Sequence, residues 1–238
     1  MKTRSQSDSQ ALVVMAKPPI PGEVKTRLCP PFSFAEAAEF YECLLQDTVG
    51  KLEGFASAEL WIAYTSEGED YFQSVYRQRV KMIPQRGVDL GQRMHHIFVD
   101  LFSLGYRRVV VLGSDIPCLA LSTVEQTFHL LSRHEHDLAL GPARDGGYYL
   151  IGLKEPEARI FQGITWSHPS VLFDTLKRAE SLGLRPVSVP AAYDVDLEQN
   201  LAELWNDLSL NPVLRSKIPR TYGFLSKFYA HRESPDLG

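Results

Sequence analysis

Three short apolar runs, rich in β-branched residues, constrain the fold of this chain more than any other feature. They occupy residues 11–16, 58–65 and 107–113. Between them, apolar residues recur three and four positions apart, which is the spacing of an amphipathic helix. One such helix is predicted to start at Ser33, because Glu36 stands three residues later and completes a capping box. Buried strands that alternate with helices are typical of a mostly parallel α/β sheet, so we expect that fold class.

The rest of the chain continues this alternation. Helical spacing returns at 89–105, from near 122 and at 169–182, strand-like pieces lie within 137–153 and 184–190, and a further helix covers 197–208. No Ser/Gly-rich linker, charge block or internal repeat divides the sequence. We therefore predict one domain over residues 11–229, with loose ends at 1–10 and 230–238.

Composition excludes several classes of protein. The 238 residues carry 25 Lys+Arg against 29 Asp+Glu, a net charge of -4 that lacks the basic footprint of a nucleic-acid binder. No apolar run approaches the roughly 18 to 20 residues of a membrane-spanning helix, and the start of the chain does not match a signal peptide. The spacing of Cys29, Cys43 and Cys118 fits neither a disulfide framework nor a zinc site. We therefore expect a cytoplasmic protein with no nucleic-acid partner and no transmembrane segment.

A stiff basic loop follows the first strand. It reads KPPIPGEVKTRL and holds the cations Lys17, Lys25 and Arg27, while Gly22 allows a ligand close to the backbone. Ligands of open α/β sheets bind beyond the carboxyl ends of the strands, where such cations can meet phosphate oxygens. The loop matches neither the Walker spacing nor the GxGxxG fingerprint. We interpret it as a phosphate-binding loop, and a solvated turn shaped by its prolines is the alternative.

Three aspartates stand where a divalent cation could bind. Asp115 follows the most apolar strand in the run GSDIP, and Asp194 and Asp196 alternate in the run YDVD, so both can face one side of an extended segment. Magnesium takes hard oxygen ligands, usually one or two carboxylates with substrate phosphates. We therefore predict Mg²⁺ or Mn²⁺ at Asp115 with Asp194 or Asp196. In the structural alternatives, Asp115 closes a turn before Pro117, and Asp196 caps a helix together with Gln199.

Two polar turns are candidates for the walls of a binding pocket. In the run QRGVDLGQRM, Gln85 and Arg93 are candidates for ligand contact, whereas Asp89 is interpreted as a helix cap. In the run ARDGGYY, paired glycines allow a close backbone approach, and Asp145 or Tyr148 could bond sugar hydroxyls. A plain hairpin turn is the alternative there. The predicted acceptor or sugar pocket comprises Asp145, Gly146, Gly147 and Tyr148.

Taken in order, the motifs AKPPIPGEVKTRL, LGQRM, GSDIP, RDGGYYLIG and YDVD resemble a known family. This is a bacterial, glycosyltransferase-like group among the nucleotide-diphospho-sugar transferases of glycosyltransferase-A fold. The resemblance runs from about residue 11 to 208, and its specificity comes from the ordered set. The pattern K-x-x-x-x-G-x-x-K-T-R-L is also similar to the loop of the 2-phospholactate guanylyltransferases, which are nucleotidyltransferases of the same fold.

This resemblance implies a Rossmann-like, mostly parallel sheet that binds a nucleotide through the first strand and its loop. It implies that Asp115 is a metal-binding carboxylate with Asp196 as the second ligand, and that Lys17, Lys25 and Arg27 contact phosphates. The catalytic set is then Asp115, Asp196 and Lys25. The complete predicted nucleotide- and phosphate-binding set is Ala16, Lys17, Pro18, Gly22, Lys25, Arg27, Gln85, Arg93 and Ser114.

Three functions follow from this site. The first is metal-dependent transfer from a nucleotide-sugar to an acceptor, in which an inverting enzyme would take Asp145 or Asp194 as its base. The second is nucleotidyl transfer, in which a phosphorylated acceptor attacks a nucleoside triphosphate and pyrophosphate leaves. The third is a non-catalytic nucleotide-binding module. Each predicts a nucleotide or nucleotide-sugar as the partner, and the residues leave the base, the sugar and the acceptor open.

Overall fold

The computed structural model describes residues 9–233, which form two compact units. The first unit comprises residues up to Pro18, Leu52–Gly113 and Leu119–Tyr193. The second comprises Pro19–Lys51, Ser114–Cys118 and residues from Asp194 onward.

A seven-stranded sheet forms the first unit. Its strands are β1 Gln10–Ala16, β2 Glu59–Tyr64, β3 Lys81–Pro84, β4 Arg108–Gly113, β5 Leu138–Pro142, β6 Tyr148–Leu153 and β7 Pro186–Ser188. The spatial order is β3-β2-β1-β4-β6-β5-β7, and every neighbouring pair is parallel except the two that involve β6. The predicted α/β class with a mostly parallel sheet is therefore confirmed.

Strand burial explains why the central strands were predictable. Residues 11–14 of β1 and 109–112 of β4 are buried throughout, because strands in the middle of a parallel sheet are covered on both faces. Their register pairs Val13 with Val111 and Val14 with Leu112. Such strands are continuous apolar runs, which is the pattern that the sequence shows at both places.

Four helices belong to the first unit. They are α2 Glu69–Tyr76, α3 Leu90–Ser103, α4 Leu121–Ser132 and α5 Val171–Ser181. Asp89 caps α3, since its carboxylate accepts a hydrogen bond from the backbone N–H of Gln92, as predicted. The buried face of α3 carries Met94, Ile97 and Phe98 into one apolar cluster with strand residues of the sheet. Packing of this amphipathic face stabilises the unit.

The second unit is helical. Nearly all of α1 Phe34–Glu53 belongs to it, together with α6 Glu198–Leu210, α7 Pro212–Lys217 and α8 Pro219–Glu233. The predicted capping box starts α1, because Ser33 Oγ accepts from the N–H of Glu36 and the Glu36 carboxylate accepts from the N–H of Ser33. Aromatic rings pack inside this unit, where Phe32 contacts Phe40, Phe224 and Phe228 with ring centroids 4.6 to 5.4 Å apart.

Several elements were not predicted from the sequence. They are β3, α2, α7 and α8, of which β3 is a four-residue edge strand with only one buried residue. The predicted single domain over 11–229 stays a prediction. Of the predicted loose ends, Gln10 begins β1 and residues 230–233 belong to α8, whereas residues 1–8 and 234–238 lie outside the described part. Among residues 9–233, no helix has both the length and the apolarity needed to cross a membrane.

Candidate functional site

The loop after β1 turns sharply at Lys25. Its backbone is left-handed, with φ 49° and ψ 32°, a conformation that few residues other than glycine adopt. A short 3-10 helix, Thr26–Leu28, follows directly, and the N–H of Leu28 donates to the carbonyl of Lys25. Val24 and Leu28 on either side are buried. These apolar anchors hold the backbone while the side chain of Lys25 is directed inward.

The ammonium group of Lys25 binds two of the predicted carboxylates. Its Nζ atom donates to Oδ2 of Asp115 at 2.8 Å and to Oδ1 of Asp196 at 2.7 Å, and the side chain is 3% exposed. Burial acts to lower the pKa of Lys25, but the negative charges of Asp115 and Asp196 and their hydrogen bonds outweigh it, so the pKa lies well above its usual value. Lys25 is therefore protonated at any physiological pH.

Helix α1 holds the segment that carries Asp115. The hydroxyls of Ser114 and Tyr41 are 2.9 Å apart, and Thr48 Oγ1 donates to the carbonyl of Ser114 at 3.2 Å. Further along the segment, Nζ of Lys51 donates to the carbonyl of Pro117 at 3.0 Å. Ser114, which was predicted to contact a nucleotide, is buried and bonded to this helix. These contacts on both sides of Asp115 fix the backbone from which its carboxylate extends.

The run YDVD alternates as predicted. Tyr193 and Val195 are buried, while Asp194 and Asp196 are partly exposed, because successive side chains of an extended segment point in opposite directions. The capping alternative for Asp196 is wrong. Helix α6 has Leu197 as its N-cap, and the Asn200 side chain accepts the hydrogen bond from its N–H. Asp196 is therefore available for the bond to Lys25.

Asp115, Asp194 and Asp196 form one acidic cluster. One carboxylate oxygen from each lies within 4.8 Å of the others. Carboxylates are the ligands that Mg²⁺ and Mn²⁺ prefer, and Lys25 engages a single oxygen of Asp115 and of Asp196. The three carboxylates and one ammonium carry a formal charge of about -2, which a divalent cation balances. The donor set thus fits the predicted metal.

The remaining residues of the predicted nucleotide-binding set lie in both units. In the first, the Gln85 side-chain amide donates to the carbonyls of Ala16 and Ala63, so it joins the carboxyl ends of β1 and β2. Arg93 Nε donates to the carbonyl of Gly87. Lys17 is exposed and Pro18 is buried. In the second unit, Gly22 and Arg27 are exposed.

The predicted acceptor pocket is a tight turn in the first unit. Asp145 Oδ1 accepts from the N–H of Gly147, and Gly146 has φ 91°, where a Cβ would collide with the carbonyl of Pro169. The ring of Tyr148 packs against the apolar cluster, and its hydroxyl oxygen is buried. Burial raises the pKa of the Tyr148 hydroxyl. Asp145 thus shapes the turn and stays exposed, whereas Tyr148 packs inward.

Sequence reasoning missed the supports of the site. Tyr41, Thr48 and Lys51 position the segment of Asp115, yet in the sequence Tyr41 and Thr48 fit the buried face of an amphipathic helix. A signal for Thr48 was its hydroxyl on an otherwise apolar face, since a buried hydroxyl needs a hydrogen-bond partner. No sequence pattern near Lys25 indicates its hydrogen bonds to Asp115 and Asp196.

Solved structures share this fold. A crystal structure from Desulfovibrio desulfuricans G20, described as a "putative nucleotide-diphospho-sugar transferase", is 32% identical with a TM-score of 0.85, over 95% of this chain and 99% of that one. A cytidylyltransferase from Leptospira borgpetersenii is 9% identical with a TM-score of 0.59, over 97% and 99%. A nucleotidyl transferase from Methanothermobacter thermautotroptrophicus is 12% identical with a TM-score of 0.55, over 86% and 100%. The last two likenesses concern the fold alone.

The 32% identity with the Desulfovibrio protein over nearly the whole length of both chains identifies a transferase of the nucleotide-diphospho-sugar transferase class, which confirms the class that the sequence predicted. A family model described as "Uncharacterized protein conserved in bacteria (DUF2064)" matches residues 48–168, and the chain belongs to that family. The matched segment includes Asp115. A comparison with curated proteins finds no match.

Proposed function

We propose that this protein is a metal-dependent transferase that acts on a nucleotide-diphospho-sugar. The observation that carries the proposal is the cluster of Asp115, Asp194 and Asp196, which faces the buried ammonium group of Lys25. A diphosphate needs positive charge on its oxygens when the glycosidic bond breaks. When bound, a divalent cation supplies that charge, since it neutralises negative charge on the leaving nucleotide.

Each residue of the proposed site has its own role. Asp115 and Asp196 hold the cation, and Asp194 lies close enough to contribute the third carboxylate. Arg27 is exposed two residues after Lys25 and supplies a further positive charge for phosphate oxygens. The contacts of Ser114 and Pro117 with α1 keep Asp115 from moving with the ligand. Asp145 and Asp194 both stay candidates for the base that an inverting reaction needs at the acceptor hydroxyl.

Nucleotidyl transfer is the second candidate. The fold shared with the cytidylyltransferase and the nucleotidyl transferase favours it, and the same carboxylates would serve it. The two reactions differ in their products. Nucleotidyl transfer releases pyrophosphate from a nucleoside triphosphate, whereas sugar transfer releases a nucleoside phosphate.

Calorimetric titration tests the proposal. Nucleotide-sugars and nucleoside triphosphates are titrated with and without Mg²⁺ or Mn²⁺ into the wild-type protein, Asp115→Asn and the control Asp70→Asn. Asp70 is an exposed carboxylate on α2, so its variant removes the same charge away from the cluster. We expect Asp115→Asn to weaken metal-dependent binding about 100-fold, because a charged contact is lost, and Asp70→Asn to bind as wild type does.

The titration and the released product distinguish the two candidate reactions. Metal-dependent binding of a nucleotide-sugar, followed by release of a nucleoside phosphate, supports the first candidate. Preference for a triphosphate with release of pyrophosphate supports the second. Equal binding by the wild-type protein and Asp115→Asn, with circular dichroism showing both folded, contradicts the assignment of the acidic cluster.

A further inference from the structure

The acidic cluster already holds a positive charge that the chain itself supplies. Lys25 Nζ is within 2.8 Å of a carboxylate oxygen of both Asp115 and Asp196, so both contacts are direct, charge-assisted hydrogen bonds. The Lys25 side chain is almost completely shielded from water. A metal ion that uses the same two aspartates therefore competes with Lys25 for their negative charge.

We propose that Lys25 is a displaceable counter-ion, which keeps the affinity of the acidic cluster for a metal ion alone low and turns to the phosphates when metal and phosphate enter together. The inference rests on the proposed function. It adds that the metal ion and the phosphate bind together, and that Lys25 leaves the aspartates when they do. Lys25 is then a positioning residue for the metal site, in addition to its predicted contact with phosphate.

Charge balance supports this role. A divalent cation that enters alone places two positive charges beside the ammonium group, and water screens such a repulsion weakly at a shielded position. A ligand with a diphosphate group brings negative oxygens to which the three N–H donors of Lys25 can turn. The repulsion is then offset, so metal and phosphate each raise the affinity for the other, as linkage requires.

The local backbone allows this displacement without a rearrangement of the loop. The left-handed turn at Lys25 is held by its carbonyl, which accepts from the N–H of Leu28, and by the buried Val24 and Leu28. Within residues 9–233, the ammonium group donates its hydrogen bonds to Asp115 and Asp196. Release of the ammonium is therefore a rotation of the side chain.

The test measures Mn²⁺ binding to the full chain by electron paramagnetic resonance of the free ion. The variants are Lys25→Met, Lys25→Gln and the control Lys227→Met, which removes an exposed lysine of α8. We expect both neutral variants at position 25 to bind Mn²⁺ alone about tenfold tighter than wild type, a change of about 1.4 kcal/mol. Lys227→Met should bind Mn²⁺ as wild type does. A purely structural Lys25 predicts the opposite sign, namely weaker binding.

A second titration adds inorganic pyrophosphate, corrected by a parallel series without protein. Wild-type affinity for Mn²⁺ should rise with pyrophosphate, and the rise should be smaller in both neutral variants. Equal or weaker Mn²⁺ binding by the variants overturns the inference, as does failure of both variants to fold, which would make the ion pairs structural. If neither the wild-type protein nor the variants bind Mn²⁺ at millimolar concentration, the proposed metal-dependent function fails, which is a separate result.

Discussion

The two units differ in what they bury. The core of the first unit is an apolar cluster in which strand residues such as Val13 and Val111 pack against the inner face of α3. The second unit encloses charge, since the side chains of Lys25 and Asp47 are 3% and 1% exposed. Apolar packing tolerates exchange among residues of similar volume, whereas a buried charge depends on particular partners. Both units pack apolar side chains, and the second differs in that it also buries charged groups that depend on particular partners.

The largest effect is expected in the apolar cluster. Phe98 is fully buried on α3 and stacks on Phe161 with the ring centroids 6.1 Å apart. Phe98→Ala should lower the free energy of unfolding by about 3–5 kcal/mol, because it leaves a cavity. Phe173→Ala is the control, since that ring is 66% exposed in the same unit. Urea denaturation followed by circular dichroism measures both, and equal losses would contradict an apolar basis for this unit.

A smaller effect is expected for the buried carboxylate of the second unit. Asp47 on α1 accepts hydrogen bonds from the N–H groups of Thr221 and Arg220, so it caps the start of α8. Asp47→Ala should cost about 1–3 kcal/mol, because it leaves the buried N–H of Thr221 without an acceptor. Hydrogen exchange should show the loss first at the amides of α8, and later in β1.

Asp47→Asn separates the effect of the charge at position 47 from the effect of the hydrogen-bond acceptor. Asparagine keeps one acceptor oxygen without the charge, so it should lose less stability than alanine. If alanine and asparagine destabilise equally, the charge of Asp47 carries the whole effect. If both variants leave hydrogen exchange in α8 unchanged, the buried charge of Asp47 does not stabilise the second unit, and the proposed difference between the two units is wrong.

The smallest effect is expected at an ion pair on the surface of the first unit. Asp137, just before β5, accepts two hydrogen bonds from the guanidinium of Arg185, just before β7. The hydrogen bonds from Arg185 hold the pKa of Asp137 far below its usual range. A lowered carboxyl pKa contributes stability above the pKa of the unfolded chain, about 3.9, and this contribution is lost as the pH falls toward the folded value. Asp137→Asn should therefore cost at most about 1 kcal/mol at pH 7, since the pair is partly exposed.

Urea denaturation at pH 7 and at pH 3 checks that the stabilisation from Asp137 decreases as the pH falls. The difference between the wild-type protein and Asp137→Asn should narrow between pH 7 and pH 3, because the wild-type carboxylate then begins to lose its advantage. A difference that stays constant or widens at pH 3 would show that the ion pair does not contribute as described.

Elements with a clear apolar pattern were predicted from the sequence, and elements without one were missed. The strands β1, β2 and β4 are continuous apolar runs, and the helices α1 and α3 combine clear periodicity with capping residues, so local pattern identified all five. The edge strand β3 has a single buried residue and offers almost no periodicity. Helix α8 buries aromatic rings against other helices, and its polar and apolar residues do not form a clear stripe.

The candidate site was predictable as residue types and not as contacts. Position after a strand pointed to Asp115, and two-residue alternation pointed to Asp194 and Asp196. The sequence placed Lys25 among cations that meet phosphate, whereas the structure pairs it with carboxylates 90 and 171 positions away. Contacts over such separations depend on the whole topology, which no local window contains.

The division of the second unit into three separate stretches of chain affects how the protein is made. Lys25 is made before both of its partners, so it lacks Asp115 for the next 90 residues and Asp196 for the next 171. Chains that stop short of position 194 contain the sheet but lack two of the three acidic residues. The proposed metal site would thus be assembled only after position 196 has been made, later than the sheet of the first unit.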